Sequence, residues 1–166
     1  MAITATAIPP QSEIAQRLPG ADFHDCYTMD TQPNQLSALE TYLKVAATTP
    51  RWVNLAMALR NRIVKLFGLK DLGLLNAIDP AKPVSAYQVG DRVGIFRILY
   101  LSEQEVILGD ADKHLRVELS VCKTPQQIAI STVVHIHNAL GRIYMLFVAP
   151  AHRCIVPATM RTASFL

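Results

Sequence analysis

The sequence predicts an α+β fold: a curved antiparallel sheet covered by a long C-terminal helix, with two tandem helices after the first strand. Three observations predict it. One alternating run near residue 22 is followed by two stretches whose apolar residues recur at helical spacing. From Arg92 onward the apolar period changes to two, in runs separated by only two to four residues. The chain then ends in a long apolar stretch, bounded by His and Arg, that is available to cover one face of the sheet.

Taken in order, residues 1–21 read as an extended N-terminal arm, with Pro9-Pro10 and Pro19-Gly20, ahead of one domain spanning 22–166. "DFHDCYTM" alternates well enough to be the first strand. A helix over 34–47 follows from the spacing of Leu36, Leu39, Leu43 and Ala46. "TTPRW" restarts helix: Thr49 is placed to cap it and Pro50 takes the first helical position. That second helix, 51–67, puts Val53, Met57, Ile63 or Val64, and Phe67 on one face, and Gly68 stops it. The turn-rich residues 68–91 form a connection, with a short strand expected over 84–89. Four strand-like runs come next, "VGIFRILYLS", "EVILGD", "HLRVELSVCK" and "IAISTVVHIH". Their short separators require antiparallel hairpins. Residues 140–161 form the terminal helix, bent at Pro150.

Composition narrows the function classes. A chain of 166 residues, 51% hydrophobic and 17% charged, has enough apolar material for a core and an internal pocket. Its net charge of +3 is modest, and its basic residues are too sparse and too seldom interleaved with aromatics for a nucleic-acid surface. The three cysteines lie far apart with no CxxC spacing, which argues against a disulfide framework or a zinc site and fits a reducing, cytoplasmic setting. The uninterrupted uncharged run 143–151 is too short for a span of about 20 residues, so no membrane span is expected. No Gly-rich phosphate loop, HExxH or GxSxG occurs, and neither cofactor nor metal is expected.

Turn lengths set a register. With Pro125-Gln126 at the turn, Leu115 faces Ile136, Val117 faces Val134, Leu119 faces Thr132 and Val121 faces Ile130. The opposite face collects His114 with His137, Arg116 with His135, Glu118 with Val133, and Ser120 with Ser131. A one-residue slip would invert every side chain, because the strand period is two. Extension through the earlier hairpins adds Val106, Leu108, Leu99 and Leu101 to the hydrocarbon face, and Phe96, Ile98, Tyr100 and Ile107 to the mixed one. The hydrocarbon face needs a cover, chiefly the terminal helix.

The blocks "PRWVNLAMALRNRIVKLFGLK", "VILGDADKHLRVELSV" and "STVVHIHNALGRIYMLFVAPAHRCIV" resemble the bacterial domain-of-unknown-function family numbered 2867, from about Asp22 to the C-terminus. That family is similar to the helix-grip superfamily of START-like (SRPBCC-like) lipid-transfer domains and polyketide cyclases. The resemblance implies a cavity between a wrapped sheet and the terminal helix, and no catalytic residue carries over from it. The chain departs from the pattern at Arg116, where an acidic residue is expected, and at Ala151, where an aromatic is expected.

Three readings follow. The first is binding of a hydrophobic or amphipathic small molecule between sheet and helix, through Tyr27, Leu115, Val117, Val134, Tyr144, Phe147, His152 and Arg153. The second is a cyclase, isomerase or lyase with acid–base groups from Asp25, Tyr144, His114, Glu118 or His137. His114, Arg116, Glu118, His135 and His137 form a cross-strand cluster for that chemistry, although charge pairing on a solvated outer face is the simpler role. Asp25 and Tyr27 share a face away from His24, which suits a carboxylate base in an apolar pocket, although solvation on an edge strand is the simpler role. The third is an interaction module that forms a homodimer through the mixed face.

Overall fold

The computed structural model describes residues 2–66 and 82–163. Its strands are β1 (Ile3–Ala5), β2 (Phe23–Asp30), β3 (Arg92–Val93), β4 (Phe96–Leu101), β5 (Glu105–Ala111), β6 (Leu115–Lys123) and β7 (Gln127–Ile136). Its helices are α1 (Ala38–Ala47), α2 (Arg51–Leu66) and α3 (Ala139–Thr162). All seven strands join one antiparallel sheet in the order β1-β2-β7-β6-β5-β4-β3. The α+β layout and the tandem helices after the first long strand agree with the sequence reading. The expected stop at Gly68 and most of the 68–91 connection lie outside the described residues.

The β6–β7 register is the expected one: Leu115 faces Ile136, Val117 faces Val134, Leu119 faces Thr132 and Val121 faces Ile130. The pairing continues into β2, where Phe23 meets Val134, Asp25 meets Thr132 and Tyr27 meets Ile130. Period two therefore places Asp25, Tyr27, Thr132 and Val134 on the same face as Leu115 and Val117. That face and the helices form the main core, which includes Met29, Leu39, Tyr42, Val106, Leu108, Val121, Ile130, Val156 and Met160.

Four expectations need correction. Parity fails in β4, where a bulge between Ile98 and Tyr100 puts Phe96 and Ile98 in the main core and sends Leu99 to the opposite cluster. The extra residue of a bulge inverts facing on one side of it. The single run expected at "VGIFRILYLS" is two strands, because Gly94 takes a left-handed φ of 58° and turns the chain. Residues 84–86 form a 3-10 helix rather than strand, closed by Ala86 N to Pro83 O (3.0 Å) and Tyr87 N to Val84 O (3.1 Å). Finally, α1 starts at Ala38, not at 34, because Ser37 and Glu40 make a reciprocal capping box (Ser37 N to Glu40 Oε2 2.7 Å, Glu40 N to Ser37 Oγ 3.2 Å).

The cover is also shared. α1 packs on β5 and β6, whereas α3 packs on β1, β2 and β7. Asn138 caps α3 through a 3.1 Å bond from Gly141 N to its Oδ1. The helix continues through Pro150 and Pro157, each of which leaves a carbonyl one turn earlier without its helical donor. By length and composition α3 is the one described helix that is apolar enough to cross a bilayer. A single such helix is weak evidence for a span, and part of it, including Val156 and Met160, is buried in the main core.

The opposite sheet face is not a solvated one. The N-terminal arm adds β1 to the sheet edge and then lays the 3-10 helix Glu13–Arg17 over β5, β6 and β7. Ile8 and Ile14 of the arm bury Cys26, Ile107, Ala129 and Val133 in a second apolar cluster. Glu105, only 5% exposed, pins the arm by accepting from Glu13 N (2.7 Å), Ile14 N (3.2 Å) and Ser120 Oγ (2.6 Å).

Candidate functional site

A cavity of about 130 Å³ lies beneath the first half of α3. The sheet contributes Phe23, Leu115, Val117, Thr132 and Val134, the β3–β4 turn and β4 contribute Ile95 and Phe96, and α3 contributes Tyr144, Met145, Val148 and His152. Arg60 of α2 and the aspartates Asp110 and Asp112 complete its wall. An apolar cavity of roughly 150 Å³ holds a benzene-sized guest, so this one suits a single ring rather than a long acyl chain. On α3, Met145, Val148, His152, Val156 and Thr159 recur at intervals of three and four, the spacing that points one helical face at the sheet.

Besides Asp110 and Asp112, polar groups sit at two places in this wall. At one, His152 bridges two strands: its Nδ1 is 3.0 Å from Asp25 Oδ2 and its Nε2 is 3.3 Å from Thr132 Oγ1. A carboxylate only accepts, so Nδ1 carries a proton toward Asp25, and a neutral ring then presents the Nε2 lone pair to the Thr132 hydroxyl. The Phe23 ring meets the imidazole edge-on, with centroids 5.9 Å apart and an interplanar angle of 87°. Asp25 keeps a second oxygen, Oδ1, that is buried and has no hydrogen-bond partner. Burial, and then the Asp25 charge, raises the hydroxyl pKa of neighbouring Tyr27 above its ordinary value. At the other place, Arg60 donates from Nε to Tyr144 Oη (2.9 Å), and its guanidinium carbon lies 5.3 Å from the centre of the Tyr144 ring.

Of the expected ligand contacts, Leu115, Val117, Val134, Tyr144 and His152 line the cavity. Tyr27 shares the sheet face and packs against the main core, outside the lining. Phe147 is 75% exposed and Arg153 is exposed too, so both point away from the cavity. A residue one helical turn from the buried stripe, as Phe147 is from Tyr144, falls off it when the interval runs the wrong way around the helix.

Among the expected acid–base groups, Asp25 and Tyr144 belong to this site, Asp25 through His152. His114, Glu118 and His137 do not. His114 is buried against the start of α3, with Nδ1 3.1 Å from Asn138 Oδ1, and His137 is exposed. Glu118, 1% exposed, is paired with Arg17 (2.7 Å) and Arg116 (3.4 Å) under the arm. A larger polar cleft of about 350 Å³ lies there, lined by Glu13, Gln16, Arg17, Pro19, Arg116 and His135. Its lining is polar or charged apart from Pro19, so it lacks the apolar wall a small-molecule site needs.

Residue-by-residue reading missed Thr132, Arg60, Phe23 and the bond between Asp25 and His152. The β2–β7 pairing was the only signal for Thr132 beside Asp25, and a helix-to-helix contact such as Arg60 with Tyr144 has none in sequence. Among the described residues no three His, Cys, Asp or Glu side chains converge as metal ligands.

A family model described as "Protein of unknown function (DUF2867)" matches residues 17–159. The chain belongs to the DUF2867 family. The matched region includes every strand of the DUF2867 domain from β2 onward and nearly all of α3, hence the whole cavity wall. No curated protein and no solved structure matches the chain.

Proposed function

We propose that this domain binds a small, ring-sized amphipathic molecule in the cavity between sheet and α3, on a scaffold of the helix-grip kind. The supporting observation is the composition of the wall: eight apolar side chains, from Phe23 to Val148, accompany two separated hydrogen-bonding positions, His152 with Thr132 and Tyr144 with Arg60, and the carboxylates Asp110 and Asp112. Pockets of that make-up gain affinity from the apolar body and orientation from the few polar groups. The sheet wrapped against a C-terminal helix suits the helix-grip reading. The three free cysteines suit a reducing compartment.

Native mass spectrometry of the protein purified from its own host tests the binding. A retained small molecule is expected in the parent and absent from Val134→Trp, which fills the cavity. An adduct that survives Val134→Trp in a folded protein would place the ligand elsewhere and end this reading.

A further inference from the structure

We propose that the cavity is a proton-transfer site, in which His152, oriented by Asp25, takes a proton from a ring-sized conjugated acid whose charge is received at the far end by the Tyr144 hydroxyl. This rests on the ligand-binding reading and adds a reaction to it.

The geometry carries the inference in three steps. First, Asp25 Oδ2 at 3.0 Å from Nδ1 selects one tautomer, so Nε2 is the basic nitrogen, and His152 is part of the cavity wall. Thr132 Oγ1 occupies that nitrogen only at 3.3 Å, a long contact that an incoming O–H group replaces. Second, the imidazolium formed on protonation faces a carboxylate that is 13% exposed and still has an unpartnered oxygen, so the new charge is paired in place. Third, Tyr144 Oη accepts from Arg60 Nε, which leaves its own proton to donate and polarises it toward a developing oxyanion.

Tyr144 and His152 are eight residues apart on α3, about 12 Å of helix rise. Base and oxyanion donor therefore address opposite ends of one guest. That separation selects the substrate class: an acidic O–H or C–H at one end, a carbonyl-type oxygen at the other, and conjugation between them. The O–H or C–H bond of the guest breaks, the proton moves to Nε2, and the electron pair delocalises to the oxygen near Tyr144. Return of the proton at a different atom of the conjugated system makes the step a tautomerisation. No electron leaves or enters.

p-Nitrophenol has this shape and reports its own ionisation by colour. The full chain is equilibrated with it one pH unit below the pKa of the free phenol, where about a tenth is ionised in buffer. Dialysis measures how much is bound, and absorbance measures how much of the bound phenol is phenolate. The expected result is a bound fraction that is at least half phenolate, a tenfold or greater rise in the ionised-to-neutral ratio. His152→Gln should still bind the phenol but return that ratio to its solution value. Asp25→Asn should lower it several-fold by releasing the tautomer, and Tyr144→Phe, which removes a single hydroxyl, should lower it two- to threefold. Phenol retained by the parent but no more ionised than in buffer would overturn the proton-transfer inference and leave binding intact, as would phenolate that persists undiminished in folded His152→Gln or Tyr144→Phe. Failure of the parent to retain the phenol at all would sink the binding reading together with this one.

Discussion

Replacing Glu105 with Ala should undock the N-terminal arm. The buried carboxylate receives Glu13 N at 2.7 Å, Ile14 N at 3.2 Å and Ser120 Oγ at 2.6 Å. The serine hydroxyl can rotate to another acceptor, but the two backbone donors cannot. Hydrogen bonds to a charged group contribute about 1.5–3 kcal/mol each. The lower value for two donors gives about 3 kcal/mol, which corresponds to an opening equilibrium raised about a hundredfold. Cys26, 2% exposed beneath Ile8 and Ile14, reports that opening. In a Cys122→Ser, Cys154→Ser background, thiol labelling by a maleimide reads the population of the open state when reclosing is fast. The expected outcome is labelling of Cys26 about a hundredfold faster in Glu105→Ala, with the far-ultraviolet dichroism of the sheet retained. A labelling rate within threefold of the parent would refute the idea that this carboxylate holds the arm on the sheet.

Other outcomes follow from single features. Val134→Asp buries an unpaired carboxylate at a position 3% exposed and should abolish folding into soluble protein, whereas exposed His137→Ala should change stability by less than about 0.5 kcal/mol; expression yield and urea unfolding check both. Tyr42 holds a buried hydroxyl with no partner, the burial that also drives its pKa far upward, so Tyr42→Phe should raise stability by about 1 kcal/mol in the same urea assay, and a loss would show the hydroxyl is satisfied. The capping bonds from Ser37 hold the Glu40 carboxyl below its ordinary pKa of 4.5, so its contribution is complete above about pH 4.5 and fades as pH falls through the lowered folded value. Glu40→Gln should therefore be less stable than the parent at pH 7 and equal to it near pH 2; a gap that persists in acid would assign the effect to packing.

The sheet was legible because strand parity is a local property that turn lengths propagate. Leu115 opposite Ile136 and Val117 opposite Val134 needed only the two-residue period and the turn at Pro125-Gln126. The same logic broke at β4, since the bulge after Ile98 leaves no mark in a run that is apolar at nearly every position. The α1 boundary was legible but unread: Ser37 and Glu40 have the capping-box spacing, and Leu36 merely packs beside the helix. For the site, sequence placed Asp25 on one face of the first strand with Tyr27, and His152 on the terminal helix, yet offered no reason to join them. They are 127 positions apart, and their 3.0 Å contact depends on where α3 settles across β2 and β7.

By itself the amino-acid order determined the classes of element, the antiparallel pairing of β5 to β7 and which side chains of β6 and β7 face the helices. Those follow from periodicity, turn length and the left- or right-facing alternation of neighbours, all short-range causes. Tertiary structure alone decided that α1 shares the cover with α3, that the arm seals the second face through Glu105, and that Asp25, His152 and Thr132 meet. The physical reason is that docking of a helix or an arm is fixed by the sum of many weak side-chain contacts across the whole chain, a sum that no local pattern encodes.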